Sequence, residues 1–331
     1  MTRLSKPTEE QINKLRPKPV NGLTSLDING LVNYIKTNHA KNIIILQGAG
    51  ISCAAGIPDF RTPGTGLYDN LEKFHLSQPE DIFSIDYFLE NPAPFFELAK
   101  DMLPGKFKPT YAHYLPVILN KHNLLLRVYT QNIDGLERFS GLPPDKIVEC
   151  HGTYFTAHCL KCNTKYEFKD IKGQMETGKV VKCQKCHEGV IKPDIVFYGE
   201  YLPGRFSELM ENDFKKCDLL IVIGTSLKVG SVSYLPGMVN KNVPRVLINN
   251  EKVNTYNEVL ALKIQDDGSE KLVSNCTSNQ SKICFRFGHI LNTRDIFIGG
   301  DCQKAVHELI NKIGWEDEYS TIVPEETLQM I

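Results

Sequence analysis

Gly48, Gly50 and Gly56, with Ala49, Ile51, Ser52 and Cys53 between them, follow a short apolar run at residues 42–46. Glycines at the end of a buried strand let the backbone approach a pyrophosphate, and a following helix N-terminus adds free N–H groups and a positive dipole end. The spacing is not that of the Gly-x-Gly-x-x-Gly fingerprint, because Cys53 stands where the next glycine belongs. A dehydrogenase would also show a strand ending in an acidic ribose ligand about 20 residues on. Residues 58–66 instead have loop composition and carry Asp59, Phe60 and Arg61. The pattern predicts a dinucleotide site used for something other than hydride transfer.

A second constellation is metal-binding. Cys159 and Cys162 form one Cys-x-x-Cys pair and Cys183 and Cys186 another, twenty residues apart. Two such turns facing each other complete a tetrahedron around Zn²⁺, and four sulfur ligands leave no position for a catalytic water, so the zinc is expected to be structural. Lysines 161, 165, 169, 172, 179, 182 and 185 crowd this module, which raises a nucleic-acid ribbon as a rival reading. Interspersed Glu167, Asp170 and Glu176, and the lack of an aromatic stacking ladder, favour a solvated surface and no direct nucleic-acid binding.

The remaining chemistry sits at the ends of strand-like runs. Gln131, Asn132, Ile133 and Asp134 follow residues 124–129, where ligands bind in open α/β sheets, although Asn and Asp there also form simple turns. His151 follows the run 147–149 and precedes Gly152 beside the cysteine module, a cleft position suited to a general base near neutral pH. Gly224, Thr225 and Ser226 end the run 219–223, suited to phosphate or ribose hydroxyls. Asn249, Asn250 and Glu251 end the run 245–248, suited to ribose or adenine.

The elements that must hold these groups alternate. Helical periodicity at 26–37, 109–120, 209–215 and 306–313 separates the strand-like runs, which predicts an α/β fold with a mostly parallel sheet covered on both faces. Two stretches break the rhythm, the aromatic segment 67–103 and the cysteine-rich segment 155–192, and read together as a smaller domain. The division expected is a flexible arm at 1–21, a larger domain at 22–66, 104–154 and 193–318, the two insertions, and a tail at 319–331. Residues 263–294 are polar and aperiodic, and 316–331 are acidic. At 331 residues and 41% apolar the chain can build a substantial core, while a net charge of -1 argues against a dedicated nucleic-acid or membrane binder. No apolar run reaches membrane-span length, and residues 1–10 lack the apolar core of a secretory signal. Ten cysteines are therefore read as intracellular thiols and metal ligands, which places the protein in the cytoplasm or nucleus.

Taken together, these motifs resemble the sirtuin family of NAD-dependent protein deacylases over roughly residues 22–318. The resemblance rests on residues 48–52, 56–61, 130–134, 151–152, the four cysteines, 192–200 and 224–226. Residues 65–73, 107–110 and 300–302 look most like the sirtuin 2 branch of that family. It implies a Rossmann-type NAD domain joined to a helical module and a four-cysteine zinc ribbon, with NAD as co-substrate and structural Zn²⁺. Ala49, Gly50 and Ser52, flanked by Gly48, Ile51, Cys53 and Gly56, would hold the pyrophosphate. Asp59, Phe60, Arg61 and Tyr68 would belong to the cofactor loop, with Phe60 shielding the reacting ribose. Gln131 and Asn132 would orient the nicotinamide ribose, Asn132 also serving catalysis, while Ile133 and Asp134 hold the carboxamide. Gly224, Thr225, Ser226, Asn249, Asn250, Glu251 and Cys302 would surround the adenosine half. Val196 and Phe197 would line the acyl-lysine tunnel, and backbone at Gly199 and Glu200 would pair with the substrate peptide.

The implied reaction displaces nicotinamide by the acyl oxygen, after which His151 acts as base on a ribose hydroxyl; lysine, nicotinamide and O-acyl-ADP-ribose result. Acylated-lysine proteins or peptides are the partners implied, for a monomer. A mono-ADP-ribosyltransferase is the alternative. Two positions depart from the family pattern: Gly230-Ser231 follows Val229 where Gly-Thr-Ser-Leu-x-Val-x-Pro is usual, and Tyr198 stands where Phe is common.

Overall fold

The structure, a computed structural model, describes residues 4–58, 71, 74, 76–255, 260–265, 267, 269–274 and 282–331. In chain order the strands are β1 (Leu4–Ser5), β2 (Ile43–Gln47), β3 (Leu125–Thr130), β4 (Ile147–Glu149), β5 (Gly152–Cys159) and β6 (Lys165–Glu167). They continue with β7 (Ile191–Ile195), β8 (Leu219–Ile223), β9 (Arg245–Asn249), β10 (Leu260–Ile264), β11 (Glu270–Ser274) and β12 (Asp295–Gly299). Six of them form one sheet in the order β12-β9-β8-β2-β3-β4, every neighbouring pair parallel.

Counted within this sheet, that is the 3-2-1-4-5-6 order of a Rossmann fold, read from the β4 edge, with the order reversing between β2 and β8. A parallel sheet buried on both faces needs apolar side chains pointing both ways. In β2, Ile43 and Ile45 join a cluster with Leu31, Ile118, Val128 and Leu309, while Ile44 and Leu46 face Tyr129, Phe206, Phe214 and Leu247. Strand alternation makes this split unavoidable.

The expected runs match these strands to within a residue at each end, and β12 is not among them. It lies immediately after the stretch 263–294, whose polar composition hides the hairpin arms as well. The register there is set by β10 against β11, and β1 adds to the β10 edge. The N-terminal segment, expected as a loose arm, thus carries β1 and a helix, Glu9–Leu15, with a capping box at Thr8 and Gln11. The acidic tail is also helical at Glu316–Ile322 and Glu325–Leu328. It is fixed by Tyr319, buried and donating to the Tyr111 carbonyl at 2.7 Å.

A second, antiparallel sheet has the order β6-β5-β7. It shares one core with helices Ile85–Glu90 and Ala93–Ala99, where the rings of Phe83, Phe88, Phe95 and Phe197 meet edge to face at centroid distances of 5.1–6.2 Å. β5 begins at Gly152, directly after the candidate base, so the two sheets are joined at the site itself.

The far end of the large sheet is pinned by a buried ion pair. Arg245 on β9 donates from Nε to Asp295 Oδ1 at 2.6 Å and from a terminal nitrogen to Oδ2 at 2.8 Å, and both side chains are 1% exposed. Its other donors reach the carbonyls of Pro236, Lys282 and Cys284. Removing one partner of such a pair strands the other charge in a dry site. Arg245→Ala is therefore expected to cost about 3–5 kcal/mol, read as a fall in the urea midpoint; a midpoint equal to the parent's would contradict that role.

Candidate functional site

The loops after β2 and β8 meet at the point where the strand order reverses. Gly48 N–H donates to the Ile223 carbonyl at 3.1 Å and Gly50 N–H to the Gly224 carbonyl at 2.8 Å. A Cβ on Gly50 would lie 2.9 Å from Gly224 Cα, and one on Gly224 would lie 2.6 Å from Ile51 N. Gly224 also has φ +62°, which other residues rarely adopt. These glycines are thus required where the two loops touch each other, a constraint that exists before any phosphate arrives.

The α-helix expected after the glycines is absent from the described residues up to Pro58. Ala49–Ile51 and Cys53–Ala55 form single 3₁₀ turns instead. The Ile51 carbonyl, which would have to accept a helical N–H, is occupied by Thr110 Oγ1 at 2.8 Å and Gln303 Nε2 at 3.1 Å. From Gly48 to Ser52 the backbone N–H groups are bonded within the two loops, except that of Ala49, which has no partner among the described residues. No helix dipole stands behind it.

The end of β3 knits the loops together. Asn132, buried, donates from Nδ2 to the Gly48 carbonyl and to Ser52 Oγ, each at 3.2 Å. Ser52 Oγ donates to Asp134 Oδ2 at 2.7 Å, and Asp134 Oδ1 accepts from Leu136 N–H at 2.9 Å. Gln131 Nε2 reaches Thr225 Oγ1 at 3.0 Å. Below them lies Glu137, buried, accepting from Gln47 Nε2 and Thr130 Oγ1 at 2.5 Å each. Burial, then the neighbouring Asp134 charge, pushes the Glu137 carboxyl upward, and burial does the same to Asp134. A small cavity of about 30 Å³ between Ala49, Ser52, Asn132, Ile133 and Asp134 opens beside this network.

His151 stands at the end of β4. Its Nδ1 lies 2.9 Å from the Gln131 carbonyl. A carbonyl only accepts, so Nδ1 carries the proton and Nε2 keeps its lone pair. Nε2 borders a cleft of about 240 Å³ shared with Ile133, Val196, Phe197, Tyr198, Glu200 and Ser231. Burial pushes the imidazole below its ordinary value, outweighing the Gln131 bond, so the ring is a neutral base at pH 7. Val196 N–H donates to the His151 carbonyl at 2.8 Å, tying the base to the strand-end that forms the opposite wall.

That wall is braced from beneath. Glu200 accepts from Phe197 N–H at 2.7 Å and from buried Lys192 at 2.8 Å, and the Lys192 ammonium sits 4.1 Å from the Phe197 ring centroid. Phe197 borders the cleft while its ring is held in the aromatic core, and Val196 and Gly199 line the cleft beside it.

The other expected residues fall at neighbouring strand ends. Thr225 is buried and Ser226 exposed after β8; Asn250 and Glu251 are exposed after β9. Asn249 and Cys302 are brought close by the Gly300 N–H bond to the Asn249 carbonyl at 3.1 Å and by Cys302 Sγ, 3.9 Å from the Ile248 carbonyl. Cys53 is exposed, its thiol directed to the Ala49 carbonyl. Asp59, Phe60, Arg61 and Tyr68 lie outside the described residues. Thr110, Gln303, Gln47 and Glu137, which fasten the loop and its floor, carry no motif, and only their contacts reveal them.

The four cysteines converge as expected. Their sulfurs lie within 4.8 Å of one another, with Cys159–Cys186 at 3.7 Å and Cys162–Cys183 at 3.6 Å. Sulfurs at roughly 2.3 Å from one Zn²⁺ would stand about 3.8 Å apart at tetrahedral angles. Backbone N–H groups of Lys161 and Cys162 point at Cys159 Sγ, and those of Cys186 and Gly189 at Cys183 and Cys186 Sγ, at 3.3–3.4 Å. Such donors suit thiolates, and the set fits a closed, structural zinc site.

Comparison with known proteins agrees with this geometry. A profile of the Sir2 family matches residues 48–231. The NAD-dependent deacetylase sir2A of Dictyostelium discoideum is 44% identical over 298 residues, 89% of this chain and 53% of the relative, so the chain spans about half of that protein. The NAD-dependent protein deacetylase sirtuin-2 of Danio rerio is 41% identical over 306 residues, 92% of this chain and 76% of the relative. Sirtuin-3 of Mus musculus, named an NAD-dependent protein deacetylase, is 44% identical over 296 residues, 89% and 79% of the two chains.

Because these sulfurs tie the end of β5 to the segment that leads into β7, zinc contributes folding energy there. Cys183→Ser is expected to lose the metal, measured by elemental analysis, and to lose amide-exchange protection across β5, β6 and β7. A metal-free variant with parental protection would refute a structural role.

Proposed function

The chain belongs to the Sir2 family, and from that membership we propose that it is an NAD-dependent protein-lysine deacylase acting on acylated-lysine proteins or peptides. The observation that carries the reading is His151. Its lone pair at Nε2 faces the cleft at the junction of two half-sites, the glycine-loop pocket and the apolar channel beside Val196 and Phe197.

Each half-site suits one reactant. The loop Gly48–Ser52 offers the Ala49 N–H and a close backbone approach to the pyrophosphate, and the small cavity floored by Asp134 suits the carboxamide of nicotinamide. Gln131 and Asn132 lie between that cavity and His151, in place to orient the ribose. Thr225, Ser226, Asn249 and Cys302, on the next two strand-ends and the loop after β12, take the adenosine half. The channel between Val196, Phe197 and Tyr198 accepts the acyl-lysine stem, and backbone at Gly199 and Glu200 pairs with the peptide.

In the reaction so supported, the acyl oxygen attacks C1′ of the ribose as the bond to nicotinamide breaks. His151 then takes a proton from a ribose hydroxyl through Nε2, and the ribose oxygen attacks the acyl carbon. Hydrolysis of that adduct leaves lysine and O-acyl-ADP-ribose. Enclosure of the cleft matters at the first step, because bulk water would trap the ribosyl cation. The mono-ADP-ribosyltransferase alternative is not favoured, since these three relatives are all named deacetylases.

His151→Ala is expected to lower deacylation by about 10²–10⁴-fold while zinc content and melting temperature stay parental. Mass spectrometry of an acetyl-lysine peptide incubated with and without NAD reads the effect. Near-normal turnover in this variant would sink the mechanism.

A further inference from the structure

We propose that Ser231 is a positioning residue for the base: its hydroxyl donates to His151 Nε2 and holds the neutral imidazole aimed into the cleft until a ribose hydroxyl takes its place. Ser231 Oγ lies 3.3 Å from His151 Nε2. The direction of that bond is forced. Nδ1 gives its proton to the Gln131 carbonyl at 2.9 Å, which leaves Nε2 as an acceptor and the serine as donor. The imidazole is thus held at both nitrogens, by a backbone carbonyl on one side and a hydroxyl on the other.

The local structure brings this hydroxyl to the base and not another. Ser231 lies in the single helical turn Gly230–Ser233, anchored by fully buried Val232. Ser233, two residues on, turns its hydroxyl back to the Gly230 carbonyl at 3.4 Å. The position is also where this chain leaves the Gly-Thr-Ser-Leu-x-Val-x-Pro pattern, and a proline there would carry no side-chain donor at all.

Nε2 has one lone pair. Protonating it turns the serine bond round, the hydroxyl oxygen then accepting from the imidazolium N–H, so the hydroxyl holds the ring in both states and, through the stronger charge-assisted bond, favours the protonated one. A ribose hydroxyl entering the cleft replaces one donor with another, and Ser231 is released by rotation about χ1. The titratable and charged groups around the ring are unaffected by removing this hydroxyl. From the β3 end they include Asp134, held by Ser52 and the Leu136 amide. From the β7 end they are Tyr198 and the Lys192–Glu200 pair. Lys228 precedes the helical turn, and on the base's own strand Glu149 is paired with Arg138 and Cys150 is buried.

The proposal rests on His151 being the base, and its test separates the two. The His151 imidazole is titrated by NMR without substrate in the parent, Ser231→Ala and Ser231→Thr, with the signal assigned by its loss in His151→Gln. Ser231→Ala is expected to titrate lower than the parent by about half to one pH unit, the size the loss of one such hydrogen bond supports, and Ser231→Thr to restore the parental value. The acid limb of kcat/KM for an acetyl-lysine peptide should move by the same amount in the same direction. Identical NMR titrations in the three proteins would overturn the proposal. A displaced NMR titration in a protein with no deacylase activity would leave Ser231 in its role and remove the functional reading instead.

Discussion

Two backbones touch at the middle of the large sheet, and the site depends on that contact. With Gly50 N–H on the Gly224 carbonyl at 2.8 Å, the loops leaving β2 and β8 are locked where the strand order reverses. The contact places Thr225 within 3.0 Å of Gln131, and Gly48 within reach of Asn132. Gln131 in turn fixes the proton of His151 through its carbonyl. A path of direct bonds therefore runs from the glycine loop to the tautomer of the base. The glycine loop and His151 are one hydrogen-bonded unit spread over four strand-ends.

This unit is polar and buried, which is costly unless its members satisfy one another. Asp134 and Glu137 illustrate the solution. Two carboxylates this close in a dry pocket cannot both ionise cheaply, and burial with mutual repulsion raises Glu137 so that it sits protonated and hydrogen-bonded. Asp134, which borders the small cavity, is pushed upward by burial as well, against the bonds it accepts from Leu136 N–H and Ser52 Oγ. Burial works in the opposite sense on His151, whose charged form is the cationic one. The same desolvation thus neutralises an acid under the floor and a base at the wall.

How much of this was legible in the sequence follows from what each motif encodes. Apolar runs of four or five residues mark the core strands, because both faces of a parallel sheet demand them. Cys-x-x-Cys pairs locate the metal cluster, since two ligands from one turn require that spacing. Strand β12 escapes because it follows a polar stretch and closes an edge where periodicity is weak. For the glycines the sequence suggests room for a phosphate, and the structure adds the touching loops. Long-range fasteners are invisible. Nothing near Gln303 indicates that it grips Ile51, 252 positions away, and Thr110 does so only because its segment is packed beneath the loop. In the sequence Ser231 stands out only as a lost proline, with no hint that its hydroxyl meets the base.

The placement of His151 ties its ring to the joint between the two sheets. The residue follows β4 of the large sheet, and β5 of the small sheet begins with the next residue. Its carbonyl is held by Val196, just beyond β7, while its ring is held by Gln131, just beyond β3. Between these anchors, Gly152 at φ +76° lies so near Asp194 that a Cβ would stand 2.0 Å from its carbonyl oxygen. Backbone freedom at the joint is thereby spent on packing, and the base cannot drift with either sheet alone. Moving the wall beside Val196 relative to the loop after β3 would strain one of the two bonds that hold His151. The residue is thus the point at which the two walls of the cleft are fastened to each other.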